Sequence, residues 1–502
     1  MMQKLKTGRV SLLSIVLLLA VAPVWGSGGF NFEFDYDSRS FVDSMRRDWS
    51  DYVYNPATST PVFEKRQYDK TFVGSRNDLY FALKGDLSET HYLDIKENLH
   101  YRHYKDSEPL SRAYESFRYS ELNHQLNVTW GMAAGDHDYV QLDYFNDVVD
   151  FADCKSFNYK AHRGRAQMTH EFSMRTAFSI YGDIEERRHD FDSEANFREG
   201  RAGFEIASRL PGHDRYVPVA ASTRGDINYF AGFPGAMSAK RVIDHYTDYA
   251  VNPRDDDPRA KYRRERTRGE LFLRAFGELS NRDYLNLSNK RTEVATGFEA
   301  AYDAAEDLTL RLRDTYRKSD FEKESLLNFH HDGFSNYLAL AVDYFYSKAM
   351  TQTLTFTDEI QKFSAAAPEN FRINAVTYDG TFTYGRSRAS LTLGALRRRY
   401  EEKRRFYPDE DEWRALIGYD YLLTDTLRFR MKSEFVERDY LDFEDYLYST
   451  HRRNSWRVAV EKSFTSSTSL ELAYQENNEN YDLHTQNNLE EKSVGLSWIS
   501  HF

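Results

Sequence analysis

Apolar and polar residues alternate with a period of two along most of this chain. Leu79, Phe81, Leu83, Gly85 and Leu87 interleave with Tyr80, Ala82, Lys84 and Asp86. Leu271, Leu273, Ala275, Gly277 and Leu279 interleave with Glu270, Phe272, Arg274, Phe276 and Glu278. Leu308, Leu310 and Leu312 alternate with Thr309, Arg311 and Arg313. Leu427, Phe429, Met431, Ser433 and Phe435 alternate with Arg428, Arg430, Lys432 and Glu434, and Trp456, Val458 and Val460 with Arg457, Ala459 and Glu461. Successive strand side chains point to opposite faces, so each segment is a strand with one greasy and one charged face. A soluble sandwich alternates too. Repetition over the whole chain with no helical stretch between favours a closed barrel, because an open sheet of this size leaves two long edges.

The connections divide into two kinds. Short polar turns are predicted near Ser88–Thr90, Ala134–Asp138, Ser173–Arg175, Pro211–Arg215, Ser280–Asp283, Ala304–Asp307, Ser347–Met350, Gly385–Arg388, Thr424–Thr426 and Ser466–Ser469. Longer polar segments such as Glu401–Asp411, Asp439–Arg453 and Asn477–Glu491 lie between them. Short turns on the periplasmic side and long loops outside are what insertion of a barrel into an outer membrane produces. With a first strand at Phe30–Tyr36 and a last at Val494–Phe502, the pattern predicts about 22 strands (20–24). This count takes Val217–Phe233 and Tyr284–Asn289 as strands, although the second is short against the ~9–11 residues that a tilted spanning strand needs. Ser44–Ser75 and Phe233–Arg266, rich in proline and charge, break the rhythm and read as long loops. A lumen constriction and a surface loop both suit that length. Tyr92, Tyr139, Tyr284, Tyr302, Tyr346, Tyr421 and Phe464 sit beside predicted short turns and form a candidate interfacial girdle.

The N-terminus sets the compartment. Lys4, Lys6 and Arg9 precede the apolar stretch Val10–Ala22, and Val24 and Gly26 suit a cleavage site, so residues 1–26 read as a signal peptide and 27–502 as one barrel domain. No later apolar run has spanning length for a helix. Yet the chain holds 36 Tyr and 35 Phe beside 29% charged residues, with a mean hydropathy of −0.73. A barrel wall reconciles these values, since only alternate positions need be apolar. The net charge of −12, with basic residues interleaved among acidic ones, argues against a nucleic-acid partner. Cys154 is the single cysteine, which excludes an intramolecular disulfide and haem attachment through C-x-x-C-H.

The candidate chemistry is the charged face. Lys84, Asp86, Glu270, Arg274, Arg311, Arg313, Arg428, Arg430, Lys432 and Glu434 are the expected pore-lining residues. Opposed charges keep a wide lumen wet and bias which ions enter it; cross-strand pairing that merely holds the wall polar explains the same residues. His330 and His331 stand beside Asp332, but neighbours on an extended strand diverge and make poor ligands for one ion. No cofactor motif occurs. No serine, histidine and aspartate are set together as a hydrolytic barrel needs, so an enzyme is the least favoured reading.

With these residues in view, the chain resembles Gram-negative outer-membrane β-barrels of the porin-like class. In such proteins a last strand with a terminal aromatic looks like the signal read by the barrel-assembly machinery, and here Gly495, Trp498 and Phe502 occupy it. Gly495 lies two residues farther from the end than is commonest. The resemblance implies an all-β, single transmembrane antiparallel barrel in contact with outer-membrane lipid, passing hydrophilic solutes. Barrels of this strand number usually hold an N-terminal plug, for which the start of the first strand close to the cleavage site leaves no room; no plug domain is expected. An alternative is a resemblance to the large barrels that sheath a multihaem cytochrome as an electron conduit, although the cysteine pair near the start of some of those proteins is missing here.

Overall fold

The structure, a computed structural model, describes residues 30–55, 60–88, 90–104, 120–135, 137–151, 158–173, 176–190, 196–210, 271–287, 289–305, 307–323, 332–347, 349–364, 370–401, 408–441, 450–465, 467–482 and 488–501; at 30–33, 43, 45–55, 60–70, 84, 86, 88, 209, 347 and 501 only the backbone is described. The signal segment 1–26, Phe502, the expected turn at Pro211–Arg215, the expected strand Val217–Phe233, the loop Phe233–Arg266 and the pair His330-His331 lie outside the described residues.

The described residues form twenty strands. In order these are β1 (Phe30–Asn55), β2 (Thr60–Ser88), β3 (His91–Tyr104), β4 (Glu121–Ala133), β5 (Asp138–Phe151), β6 (Tyr159–Ser173), β7 (Thr176–His189), β8 (Phe197–Leu210), β9 (Leu271–Tyr284) and β10 (Asn289–Ala305). Then follow β11 (Leu308–Phe321), β12 (Gly333–Ser347), β13 (Met350–Phe363), β14 (Phe371–Tyr384), β15 (Ser387–Tyr400), β16 (Glu410–Thr424), β17 (Leu427–Tyr440), β18 (His451–Ser463), β19 (Thr468–Tyr481) and β20 (Leu489–His501). Each pairs antiparallel with its sequence neighbours, and β1 pairs with β20 from Asp35 opposite His501 to Arg47 opposite Leu489. The sheet therefore closes into one barrel. Among the described residues no helix is long and apolar enough to cross a membrane.

Closure also identifies the two faces. A closed sheet crowds side chains on its concave side and splays them on its convex side. On β10, Glu293 and Ala295 are each 5% exposed while Val294 and Phe298 are 44% and 39% exposed. Large exposed apolar residues fall in the second set on other strands too, including Ile180, Phe204, Leu279, Leu354, Leu393, Leu472 and Leu496. The apolar set therefore faces outward and the charged set faces the lumen.

The short turns gather at one end. Ser88 pairs with His91, Tyr384 with Ser387 and Thr424 with Leu427 there. Gly385 takes φ 57°, the left-handed value that a two-residue hairpin turn needs and that glycine adopts without strain.

The twenty strands of the described residues are the lower bound of the expected 20–24, two short of the central count of about 22. The expected turn Ser280–Asp283 lies inside β9, and the expected strand Tyr284–Asn289 is the turn from β9 to β10, where Tyr284 pairs with Asn289. The loops Asp439–Arg453 and Asn477–Glu491 shrink to 441–450 and 482–488, because β17 to β20 extend into their polar sequence. Ser44–Ser75 is no irregular loop: β1 and β2 stay paired to Asn55 and Thr60, although β20 leaves β1 at Arg47 and β3 leaves β2 at Gly74. This hairpin rises past its neighbours. The differences at Ser280–Asn289, Asp439–Arg453, Asn477–Glu491 and Ser44–Ser75 share a cause. Alternation marks the band where the outward side chains are apolar, and a strand that continues beyond the band keeps its hydrogen bonds without keeping the pattern.

Candidate pore lining

The inner wall is built by register. Arg274, Arg311, Arg313, Arg428, Arg430, Lys432 and Glu434 stand on the inward face. Lys84 and Asp86 belong to β2, where their side chains are outside the described residues, as is the whole of Glu270.

The densest cluster centres on Glu199 of β8, a residue the sequence reading did not single out. Arg282 on β9 and Arg291 on β10 are direct cross-strand partners, an arrangement of like charges that destabilises a sheet. Glu199 lies opposite Arg282 and accepts from both, at 2.8 Å from Arg282 and 3.4 Å from Arg291. Arg201 donates to the same carboxylate at 2.8 Å and to Glu185 at 2.9 Å. The Arg282 guanidinium also lies 4.0 Å from the centre of the Phe197 ring. Towards the turn end, Arg274 bridges Glu205 (2.7 Å) and Glu299 (2.9 Å), Arg313 meets Glu299 at 3.3 Å, and Arg311 meets Asp343 at 2.6 Å.

A second ladder runs over β15 to β19. Glu434 takes Arg414 at 2.8 Å and Arg453 at 3.1 Å, Arg438 holds Glu410 at 3.1 Å together with Glu412, and Arg430 holds Glu471 at 3.0 Å together with Glu461. Between the ladders the inner face of β13 and β14 carries Thr353, Thr355, Thr357, Ile373, Ala375 and Thr377. Phe371, Ile373, Ala375 and Leu396 pack together there. The hydroxyl row had a signal in the sequence, a threonine at every second position from Thr351 to Thr357.

The closing seam gives Gly495 a physical task. It faces inward opposite Phe41, and the Arg39 guanidinium from β1 occupies the space where a Cβ would stand. Gly495→Val is expected to displace Arg39 and weaken the β1–β20 seam. In a refolding assay read by gel mobility with and without heating, the variant should yield less folded barrel than wild type; an equal yield counts against this role. Trp498 faces outward, 44% exposed, with its ring stacked 6.0 Å from Phe464.

The expected aromatic girdle is partly redrawn. Tyr302, Tyr346, Tyr421 and Phe464 lie near the turn end, with Tyr302, Tyr346 and Phe464 among the exposed large apolar residues. Tyr92 and Tyr139 instead face the lumen, stacked at 6.0 Å, and Tyr284 is buried at the opposite end. A register difference of one residue decides which face a ring takes. Beyond the apolar band, at the end away from the short turns, the outer face carries ion pairs: Glu186 with Arg188 (2.6 Å) and Arg198 (2.8 Å), Asp358 with Arg372 (2.7 Å), and Asp411 with Arg399 (2.8 Å).

No protein-family model matches the chain, and no curated protein matches it. Among solved structures it is similar to the siderophore receptor PirA from Pseudomonas aeruginosa, at 8% identity and a TM-score of 0.45 over 93% of this chain and 80% of that chain. It is similar to OccAB4 from Acinetobacter baumannii, at 10% identity and a TM-score of 0.38 over 94% of this chain and 98% of that chain. The copper transporter OprC gives 7% identity and a TM-score of 0.47 over 93% of this chain and 80% of that chain.

Proposed function

We propose that this barrel spans a bacterial outer membrane and passes small hydrophilic solutes through its charged lumen. The observation that carries the reading is the division of faces: the strands that turn Leu279, Leu354 and Leu472 outward turn Arg282, Thr355 and Glu471 inward. The outer surface suits hydrocarbon and the inner surface suits water. Twenty strands spaced as in ordinary sheets and tilted by ~40° make a cylinder ~40 Å across, too wide for inward side chains alone to fill. In this reading residues 1–26 direct export, the last strand recruits the assembly machinery, and no separate plug domain fills the lumen.

Planar-bilayer recording of the purified, folded protein tests the proposal. Stepwise conductance that persists across salt concentrations is expected. A barrel that inserts, resists denaturation by detergent and passes no current overturns it. Among the described residues, none favours the alternative of a sleeve around a multihaem cytochrome over the pore.

A further inference from the structure

Two lumen cations stand apart from the rest of the ladder. The inward arginines of β8 to β11 whose side chains are described all hold carboxylates, whereas the side chains of Arg388 on β15 and Lys432 on β17 make no hydrogen bond or ion pair among the described residues. Both are exposed. They flank one strand, β16: Arg388 lies opposite Asp420, and Lys432 lies opposite Gly418, whose other neighbour is Ser390. A Cβ at Gly418 would overlap the Ser390 hydroxyl, so the glycine leaves a notch that this hydroxyl fills from one side.

The neighbours do not neutralise the pair. Asp420 is engaged by Arg428 at 3.3 Å, and Glu461 and Glu471 are engaged by Arg430 and Arg457. Among the described residues, five cations (Arg388, Arg428, Arg430, Lys432 and Arg457) thus face three carboxylates, leaving two positive charges over. Glu434, the next inward residue above Lys432, is occupied by Arg414 and Arg453. Two strand spacings and an offset of two residues along the strands separate Arg388 from Lys432, ~12 Å, a gap two long side chains close around a small ligand.

We propose that Arg388 and Lys432, with the Ser390 hydroxyl between them, form a binding site for small polyvalent oxyanions on the turn-end half of the lumen wall. Arginine and lysine both give short, charge-assisted hydrogen bonds to phosphate and carboxylate oxygens, and the hydroxyl donates a third. The site deepens the pore reading and rests on the same wet inner wall: it names anionic solutes as the class held on passage.

The test is equilibrium titration of the folded full-length barrel in detergent with inorganic pyrophosphate, read by calorimetry and by phosphorus NMR line width. Saturable binding is expected, weakened at least tenfold in the R388E/K432E double variant and reduced by added salt. If the double variant fails to fold, R388Q/K432Q is used, with at least a threefold loss expected. Absence of saturable binding to wild type, or unchanged affinity in a folded variant, overturns the site. Conductance is read separately. A barrel that conducts but ignores pyrophosphate loses this site and keeps the pore; one that binds pyrophosphate without conducting keeps the site and loses the transport role.

Discussion

Glu199→Ala is expected to destabilise the barrel by about 3–5 kcal/mol, the range found when one partner is removed from a buried ion cluster. Glu199 is 1% exposed and accepts from Arg201, Arg282 and Arg291, each of which is itself at most 6% exposed. Removing the carboxylate leaves Arg282 and Arg291 as facing like charges with no bridge, and Arg201 with Glu185 and Asp183 alone. Glu199→Gln keeps an acceptor of nearly the same shape and loses the charge, so its effect should have the same sign and be smaller. Urea unfolding of barrels refolded in lipid vesicles measures both. A loss below about 1 kcal/mol for the alanine variant means that the arginines are satisfied by lumen water and that the cluster is not structural.

Leu354→Arg should cost ~2–4 kcal/mol, the value for a cation on the lipid face near the midplane. Leu354 is 50% exposed, lies opposite Val342 and Tyr378, and sits midway along the outward apolar run from Leu338 to Tyr346 on the adjoining strand. Hydrocarbon surrounds that position if the barrel spans a membrane. Lys432→Gln on the inner wall is the control, expected to change stability by no more than ~0.5 kcal/mol. The same vesicle assay decides: equal stability of the two variants would mean that the outer face does not meet lipid, and the membrane assignment would fall with it.

Much of the architecture was written in the period of the pattern. The outward positions on β9, β11, β17 and β18 were all readable, because an apolar outer face and a charged inner face put opposite chemistry on adjacent residues. So were most turns, from Ser88 to Ser469. The ends of strands were not. Ser280, Asn281, Arg282 and Asp283 look like a turn in isolation, yet they are paired residues of β9. Their side chains lie beyond the apolar band, where outward positions carry Asp283, Arg198 and Glu186, so nothing in the local composition distinguishes strand from loop.

The site was half legible for a related reason. Arg274, Arg311, Arg313, Arg428, Arg430 and Glu434 announce themselves as charges alternating with apolar residues. Glu199 does not, because its importance comes from two arginines on strands β9 and β10, far along the chain and brought opposite one another by register. The isolation of Lys432 is equally invisible: it depends on what β16 and β18 place beside it, a glycine and an arginine.

By itself, then, the chain's sequence determined that alternate residues face alternate solvents and that the strands come in turn-linked hairpins, since both follow from neighbours one or two residues apart. The tertiary structure alone decided the strand number, the closing of β1 on β20, the bridge at Glu199 and the two cations without an ion-pair partner among the described residues. Those depend on which residues meet across a seam, and cross-strand register is set by hydrogen-bonded pairing over the whole cylinder rather than by any local run of residues.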